Sequence, residues 1–403
     1  MMMMKFPAVD VHQLRLFIIG LLALLISAVA ATAAGIYLGS VAEVLAYLPG
    51  LMVLVPPSIN MRGSISGVLA SRLSSSMHLG EFEINFSKSG VLGLNTRASL
   101  SVSILIAVVL GIFAYLISAA FGFTGISAGD YIIISVFSGV ISSLLVMGFA
   151  LLVILISYKK GVDLDMIGSP SVTTAADLIT IPVLVLTALF ILDFSSDIRM
   201  FFLLPVLILF GISLYLAIRS GEEIKLVSRE MIVLLVPLSL ICTFAGIIYA
   251  YNLENLVAFS VFLILIPPFT GGCGSIGGIL CSRLATGMHM GEIKPYLIPS
   301  KEVFWHFIMA YLYVCALMPF LGFFVNYCAV FFGMATPGIL TLLVVSLGAG
   351  IIVITFVNLV GYVTASVSFR RGYDPDNFGI PVITSFIDLV GATVLVAIIS
   401  LIL

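Results

Sequence analysis

The chain is written twice. The stretch from Pro56-Pro57 to Glu81 recurs from Pro267-Pro268 to Glu292, and Ser157 to Leu178 recurs as Ser368 to Leu389, each copy displaced by 211 residues. A duplication that keeps its register demands a fold made of two alike halves, whose equivalent residues can meet about a shared axis. Each copy also carries a carboxylate within an apolar helical stretch, Asp177 in the first and Asp388 in the second.

With 62% hydrophobic and 9% charged residues, the chain departs from the globular ratio and belongs in a lipid bilayer. A formal net charge of −2 and the lack of any extended basic patch exclude a nucleic-acid partner. The five cysteines (Cys242, Cys273, Cys281, Cys315, Cys328) fall in apolar or Gly-rich helical pattern, without disulfide or C-x-x-C spacing, and read as packing residues. The apolar run Leu14 to Leu38 is too long for a cleaved signal peptide.

Apolar stretches of about 20 residues predict crossings near 14–38, 57–79, 98–122, 131–157, 170–192, 200–218, 231–251, 268–290, 307–333, 338–367 and 381–403. The expected fold is therefore an all-α polytopic membrane protein of about eleven helices, five per repeat with one linking helix. The division runs 1–198, 199–222 and 223–403. The linking helix restores the direction of the second repeat, so the repeats should run parallel, related by an axis along the membrane normal. Pro56-Pro57 and Pro267-Pro268 are expected to break the chain, each preceded by a short re-entrant or interfacial piece. Lys and Arg gather on one side: a cytoplasmic N-terminus leaves only Arg199 in the outside loops and puts the C-terminus outside, as in a multi-pass plasma-membrane protein.

Asp177 and Asp388 each lie seven residues after a proline suited to a helix start, Pro170 and Pro381. Thr173 and Thr174, and Thr384 and Ser385, precede them at i−4 and i−3, so hydroxyls share the carboxylate's face. Two such oxygen walls suit a hard divalent cation; the alternative is helix packing or a salt bridge to an internal Arg. Gly63 with Ser64, and Gly274 with Ser275, keep side chains small where a backbone approaches either an ion or another helix. Asp163, Asp165, Asp374 and Asp376 precede the Asp-bearing helices, where they either cap them or form an ion vestibule. Glu43 and Glu254, also equivalent, are either an acidic mouth or interfacial polar residues. His78 with Glu81, and His289 with Glu292, have helical i, i+3 spacing but lack a third metal ligand and read as solvated helix ends.

These motifs carry a resemblance. Pro56, Gly63 and Leu69 to Leu73 (LASRL), with Pro267, Gly274 and Leu280 to Leu284, are followed by Gly372 to Asn377 (GYDPDN) and Pro381 to Asp388 (PVITSFID). The first copy of the latter holds Gly161, Asp163, Asp165, Pro170, Thr173, Thr174 and Asp177. Over essentially its whole length the chain resembles the MgtE-type magnesium transporters, and more closely their eukaryotic solute-carrier relatives with two fused MgtE domains. The resemblance implies a cation pore between the Pro-Pro and Asp-bearing helices, with Mg2+ as the transported ion, held in hydrated form at Asp177 and Asp388. Ser64 and Ser275 depart from the Asn that often follows the motif glycine, and the sensing domains of bacterial members have no counterpart here, so neither that Asn's role nor their gating is carried over.

Two other classes compete. Sodium- or proton-coupled transport of another cation or small solute usually wants a larger midplane pocket with substrate-specific polar groups, whereas duplicated acidic positions favour one small symmetric ligand over an asymmetric solute. An intramembrane enzyme is disfavoured, since neither aspartate lies in a G-x-G-D motif and no H-E-x-x-H is present. Because one chain contains both aspartates, a monomer is expected to suffice as the functional unit.

Overall fold

A computed structural model describes residues 11–78, 80, 82–87, 90–160, 164–219, 222–296, 298–371 and 375–402. Among these the chain forms α1 (Val11–Ser40), α2 (Ala42–Tyr47), α3 (Val55–His78), α4 (Val91–Ala120), α5 (Ala128–Lys160), α6 (Leu164–Leu192) and α7 (Ser196–Phe201). It continues with α8 (Leu203–Arg219), α9 (Glu222–Tyr251), α10 (Leu253–Ala258), α11 (Val261–His289), α12 (Lys301–Phe331), α13 (Ile339–Arg370) and α14 (Pro375–Ile402). A 3-10 turn, Pro49–Val53, leads into α3. No strand occurs among the described residues. The protein is an all-α polytopic membrane protein: ten of these helices are long and apolar enough to cross a bilayer. That the lipid supplies their outer surroundings explains why Leu204, Leu207 and Ile208 stand exposed on α8.

The helix expected over 57–79 is not among the ten, although its counterpart α11 is. α3 instead packs against α4, α5, α6 and α9, so its serines and Arg62 meet protein rather than lipid. Its apolar side is Met61 and Ile65, which join Ala98, Val102, Ile106 and Leu110 of α4 and Val227, Met231, Leu235, Leu238 and Cys242 of α9 in one buried cluster. The four-residue steps along α4 are the spacing that lines one helix face against a neighbour.

The chain breaks at the first proline pair, as expected, but not at the second. Pro56-Pro57 falls in the first turn of α3, where the missing amide hydrogens cost nothing, and the preceding piece is the short α2 and the 3-10 turn. Pro267-Pro268 does not break its helix: α11 runs from Val261 through the pair, with Val261 to Leu265 wholly buried. The surrounding packing holds that turn in helical form despite the lost hydrogen bonds. Nor do the Asp-bearing helices start at Pro170 and Pro381. Among the described residues they already run from Leu164 and from Pro375, so each aspartate lies at least thirteen residues in, about 20 Å along the axis.

The halves are interlocked by their first helices. α1 packs on α11 and α12, downstream in the second copy, as well as on α6; α9 packs on α3 and α4, from the first copy, as well as on α14. Both crossings depend on glycine at equivalent positions. A Cβ on Gly35 of α1 would collide with the carbonyl oxygen of Ile264, and one on Gly246 of α9 with the carbonyl oxygen of Val53. Residues 264 and 53 are themselves 211 apart, as are 246 and 35. Backbone approach of this kind is how membrane helices gain dispersion contact when no hydrophobic force separates them from lipid.

Gly35→Leu and Gly246→Leu should therefore each destabilise the bundle by about 1–3 kcal/mol or more, seen as a lower unfolding temperature in detergent. Gly211→Ala, where an added Cβ would meet nothing within 4 Å, should not lower that temperature. An unaltered transition in both leucine variants would mean that the close crossings do not form.

Candidate functional site

Four helices, α3, α6, α11 and α14, bring the duplicated motifs together. α3 packs on α6, α11 on α14, and α3 also touches α14. Gly63 on α3 lies under Thr173 on α6: a Cβ there would sit 3.6 Å from the Thr173 methyl. The equivalent Gly274 on α11 lies under Thr384 on α14 at the same 3.6 Å. Glycine at these positions thus sets the spacing between each Pro-Pro helix and its Asp-bearing partner.

A less buried stripe runs along each Pro-Pro helix through otherwise buried neighbours. On α3 it comprises Asn60, Ser64 and Gly67, and on α11 Gly271, Ser275 and Gly278, at i, i+4 and i+7 on one face. Gly67 and Gly278 face open space, with nothing within 4 Å of an added Cβ. Thr173 and Asp177 on α6, and Thr384 and Asp388 on α14, are likewise only partly buried. The two carboxylates are near enough to interact electrostatically.

Their immediate partners differ. Asn60 donates its Nδ2 to Asp388 Oδ2 at 2.7 Å, and the Cys242 thiol approaches the same oxygen at 3.5 Å. The Asn60 carbonyl oxygen accepts from Ser385 at 3.3 Å and from Ser64 at 3.4 Å. Tyr249 on α9 is buried, and its hydroxyl has no hydrogen-bond partner among the described residues. Ser27 of α1 shares a 3.3 Å hydrogen bond with Thr174, and Thr384 donates to its own helix at the Pro381 carbonyl, 3.1 Å away. The small, hydroxyl-bearing and acidic groups therefore converge as oxygen donors without any group of three His, Cys, Asp or Glu among the described residues. Such a set suits a hard cation that keeps part of its water shell, and does not suit zinc.

The internal-arginine alternative for the aspartates is not what these residues form. Arg62, almost wholly buried, donates to the Ser103 carbonyl at 3.3 Å and to Ser143 Oγ at 3.1 Å, while its Nε has no partner among the described residues. Gly139 of α5 makes room for that guanidinium. Arg72 pairs with Glu230 at 2.9 Å, and Arg199 with Asp130 at 2.6 Å, which ties the linking segment to the start of α5.

The outer candidates lie apart from this cluster. Glu43 and Glu254 are exposed in the first turns of α2 and α10, two short helices that pack on each other. Asp163 and Asp374 lie outside the described residues, as do the side chains of Asp165 and Asp376, which fall in the first turns of α6 and α14. Glu81 and the His78 side chain are also outside them. His289 is exposed and meets the edge of Phe369, with ring centres 5.1 Å apart. A separate cavity of about 150 Å3 between α1, α11 and α12 is lined by Phe17, Arg283, Trp305, His306 and Tyr313 among others, and contains neither aspartate.

Reading the copies for what they share found the aspartates, threonines and glycines but missed Asn60, Cys242 and Tyr249. Their equivalents are Gly271, Ala31 and Leu38, so a search for differences between the copies would have singled them out.

The profile of the MgtE family, described as a divalent cation transporter, matches residues 55–187 and again residues 266–398. Solute carrier family 41 member 3 of Mus musculus is 26% identical over 369 residues, which cover 86% of this chain and 74% of that protein. The protein of the same name from Rattus norvegicus is 25% identical over 369 residues, covering 86% and 78%. No solved structure matches the chain.

Cysteine accessibility checks the open stripe. In a background with the native cysteines replaced, Gly67→Cys and Gly278→Cys should react readily with a small charged thiol reagent. Gly277→Cys, whose Cβ would press on Ile383 Cγ2 at 2.6 Å, should stay protected. Equal protection of all three would close the proposed space.

Proposed function

The chain belongs to the MgtE family of divalent cation transporters, and from that premise we propose that it carries magnesium across the membrane along a path between α3, α6, α11 and α14. The observation that carries this reading is the pair of interacting carboxylates, Asp177 and Asp388, on equivalent helices beside an open stripe of small residues. A charged side chain at mid-bilayer depth costs roughly 2.5–3.5 kcal/mol, which a divalent cation passing between two of them offsets. Magnesium dehydrates reluctantly and binds through one or two carboxylates while keeping several waters, so the hydroxyls of Thr173, Thr174, Thr384 and Ser385 serve as partners for the ion's water shell. Gly63, Ser64, Gly274 and Ser275 keep the wall thin enough for a hydrated ion. Asp163, Asp165, Asp374 and Asp376 form a vestibule at one end, and Glu43 and Glu254 an acidic mouth at the other; like-signed rings of this sort raise the local cation concentration.

The two MgtE matches, beginning at 55 and 266, support a first repeat over 1–198, a linking helix over 199–222 and a second repeat over 223–403. With one helix between them the repeats run parallel, and the asymmetry of Lys and Arg sets a cytoplasmic N-terminus and an external C-terminus in the plasma membrane. A single chain supplies both carboxylates and is the functional unit.

Magnesium uptake into proteoliposomes tests the path. Asp177→Asn and Asp388→Asn should each reduce uptake, and the double variant should reduce it at least a hundredfold while folding normally, since removal of a buried charge does not destabilise the helix. Normal uptake by the double variant would make the aspartates structural. Topology is open to separate measurement: Lys159→Cys and Arg370→Cys should react with an impermeant thiol reagent in inverted membrane vesicles, whose cytoplasmic face is outermost, and not in intact cells. Labelling of the two from opposite faces would refute parallel repeats.

A further inference from the structure

Resting on the proposed pathway, we infer that its two carboxylates are inequivalent: Asp388 is already engaged by Asn60, and Asp177 is the one offered to the cation. Asn60 is the positioning residue that creates the difference.

The geometry is direct. A carboxylate only accepts hydrogen bonds, so the Asn60 amide must turn its NH2 toward Asp388, where Nδ2 lies 2.7 Å from Oδ2. The amide is held in that orientation from its other end, where Ser385 and Ser64 hydroxyls donate to Oδ1 at 3.3 and 3.4 Å. Cys242 adds a weaker donor to the same carboxylate oxygen at 3.5 Å. The Asn60 contacts to Asp388 and Ser385 join α3 of the first copy to α14 of the second, whereas Cys242 reaches Asp388 from α9 within the second.

Around Asp177 the equivalent positions cannot do the same. Gly271 stands where Asn60 would, and Ala31 where Cys242 would. A Cβ on Gly271 would lie 3.6 Å from Asp177 Oδ2, so the glycine occupies the same place relative to its aspartate but offers no donor. Among the described residues no side chain donates a hydrogen bond to Asp177.

The consequence for transport follows from ligand count. An oxygen whose lone pairs are taken by donors is a poorer partner for a cation or its waters, so the site presents one free carboxylate and one fixed charge. Affinity for a hard cation rises with the charge and number of ligands, whereas conduction requires binding weak enough for release. Asn60 thereby trades affinity for turnover, and the glycine at 271 leaves room for the ion.

Magnesium uptake measured against concentration in proteoliposomes tests this. Asn60→Gly frees Asp388 and should lower the half-saturating concentration about tenfold while lowering the maximal rate, because release becomes slower. Gly271→Asn, with room for its Cβ, should raise the half-saturating concentration by a similar factor. In the unaltered background Asp177→Asn should raise it more than Asp388→Asn, and exchanging Asn60 and Gly271 together should reverse that order. Asn60→Gly that only lowers the maximal rate would mark Asn60 as a packing residue and overturn the inference. Gly271→Asn with unchanged half-saturation would overturn it equally, which decides the matter should the Asn60 variant fail to fold. These outcomes leave the pathway intact; normal uptake by the Asp177→Asn/Asp388→Asn double variant would instead remove the pathway beneath it.

Discussion

Placing two carboxylates inside a lipid-embedded bundle is the constraint on which the rest of the architecture depends. Each must be shielded from hydrocarbon, must see water or an ion, and must be held apart from the other by groups that do not neutralise it. The fold meets the first demand by enclosing α3, the least apolar of its long helices, behind α4, α5, α6 and α9. It meets the second with glycines and serines, which leave the space a side chain would fill. It meets the third by directing its most buried cation elsewhere: Arg62 donates to Ser103 and Ser143, away from both aspartates.

The exchange of first helices supports the same centre. Because α1 packs on α11 and α12, and α9 on α3 and α4, neither half can move as an independent body without breaking a glycine-backbone crossing at Gly35 or Gly246. Backbone-to-backbone contact has no rotamer to adjust, so these crossings resist shear more than side-chain packing would. Interlocking of this kind holds the carboxylates at a fixed depth in both halves. On the stripe itself the halves are joined unequally, since Asn60 links α3 to α14 and Gly271 provides no corresponding link.

Much of this was legible in the sequence because membrane physics is severe. Apolar runs of spanning length gave the helices, and the 211-residue register pointed to Asp177, Asp388 and the glycines opposite their threonines. Helix ends were not legible: the Asp-bearing helices already run from Leu164 and Pro375, ahead of Pro170 and Pro381, because a proline within a membrane helix is tolerated when neighbours pack around it. The same tolerance let α11 run through Pro267-Pro268 while α3 begins beside Pro56-Pro57. Hidden too was the exchange of α1 and α9, since apolar periodicity says that a helix is buried but not against which copy. Asn60 and Cys242 escaped notice because only tertiary contact brings them to Asp388.

Fusion of the two copies into one chain explains why such differences can exist. A symmetric dimer must place the same residue on both sides of its axis, so any donor given to one carboxylate is given to the other. A single chain is free of that restriction. It places Asn60 against Gly271, Cys242 against Ala31, and Arg62 against Cys273. It also pairs Arg72 with Glu230, whereas the position equivalent to Glu230, across from Arg283, is Ile19. Of these differences, Asn60 against Gly271 and Cys242 against Ala31 fall beside Asp388, whereas Arg62 and Arg72 make other contacts of the bundle. Divergence at those two positions lets one carboxylate be held by donors that its counterpart lacks, without altering the helices that carry both.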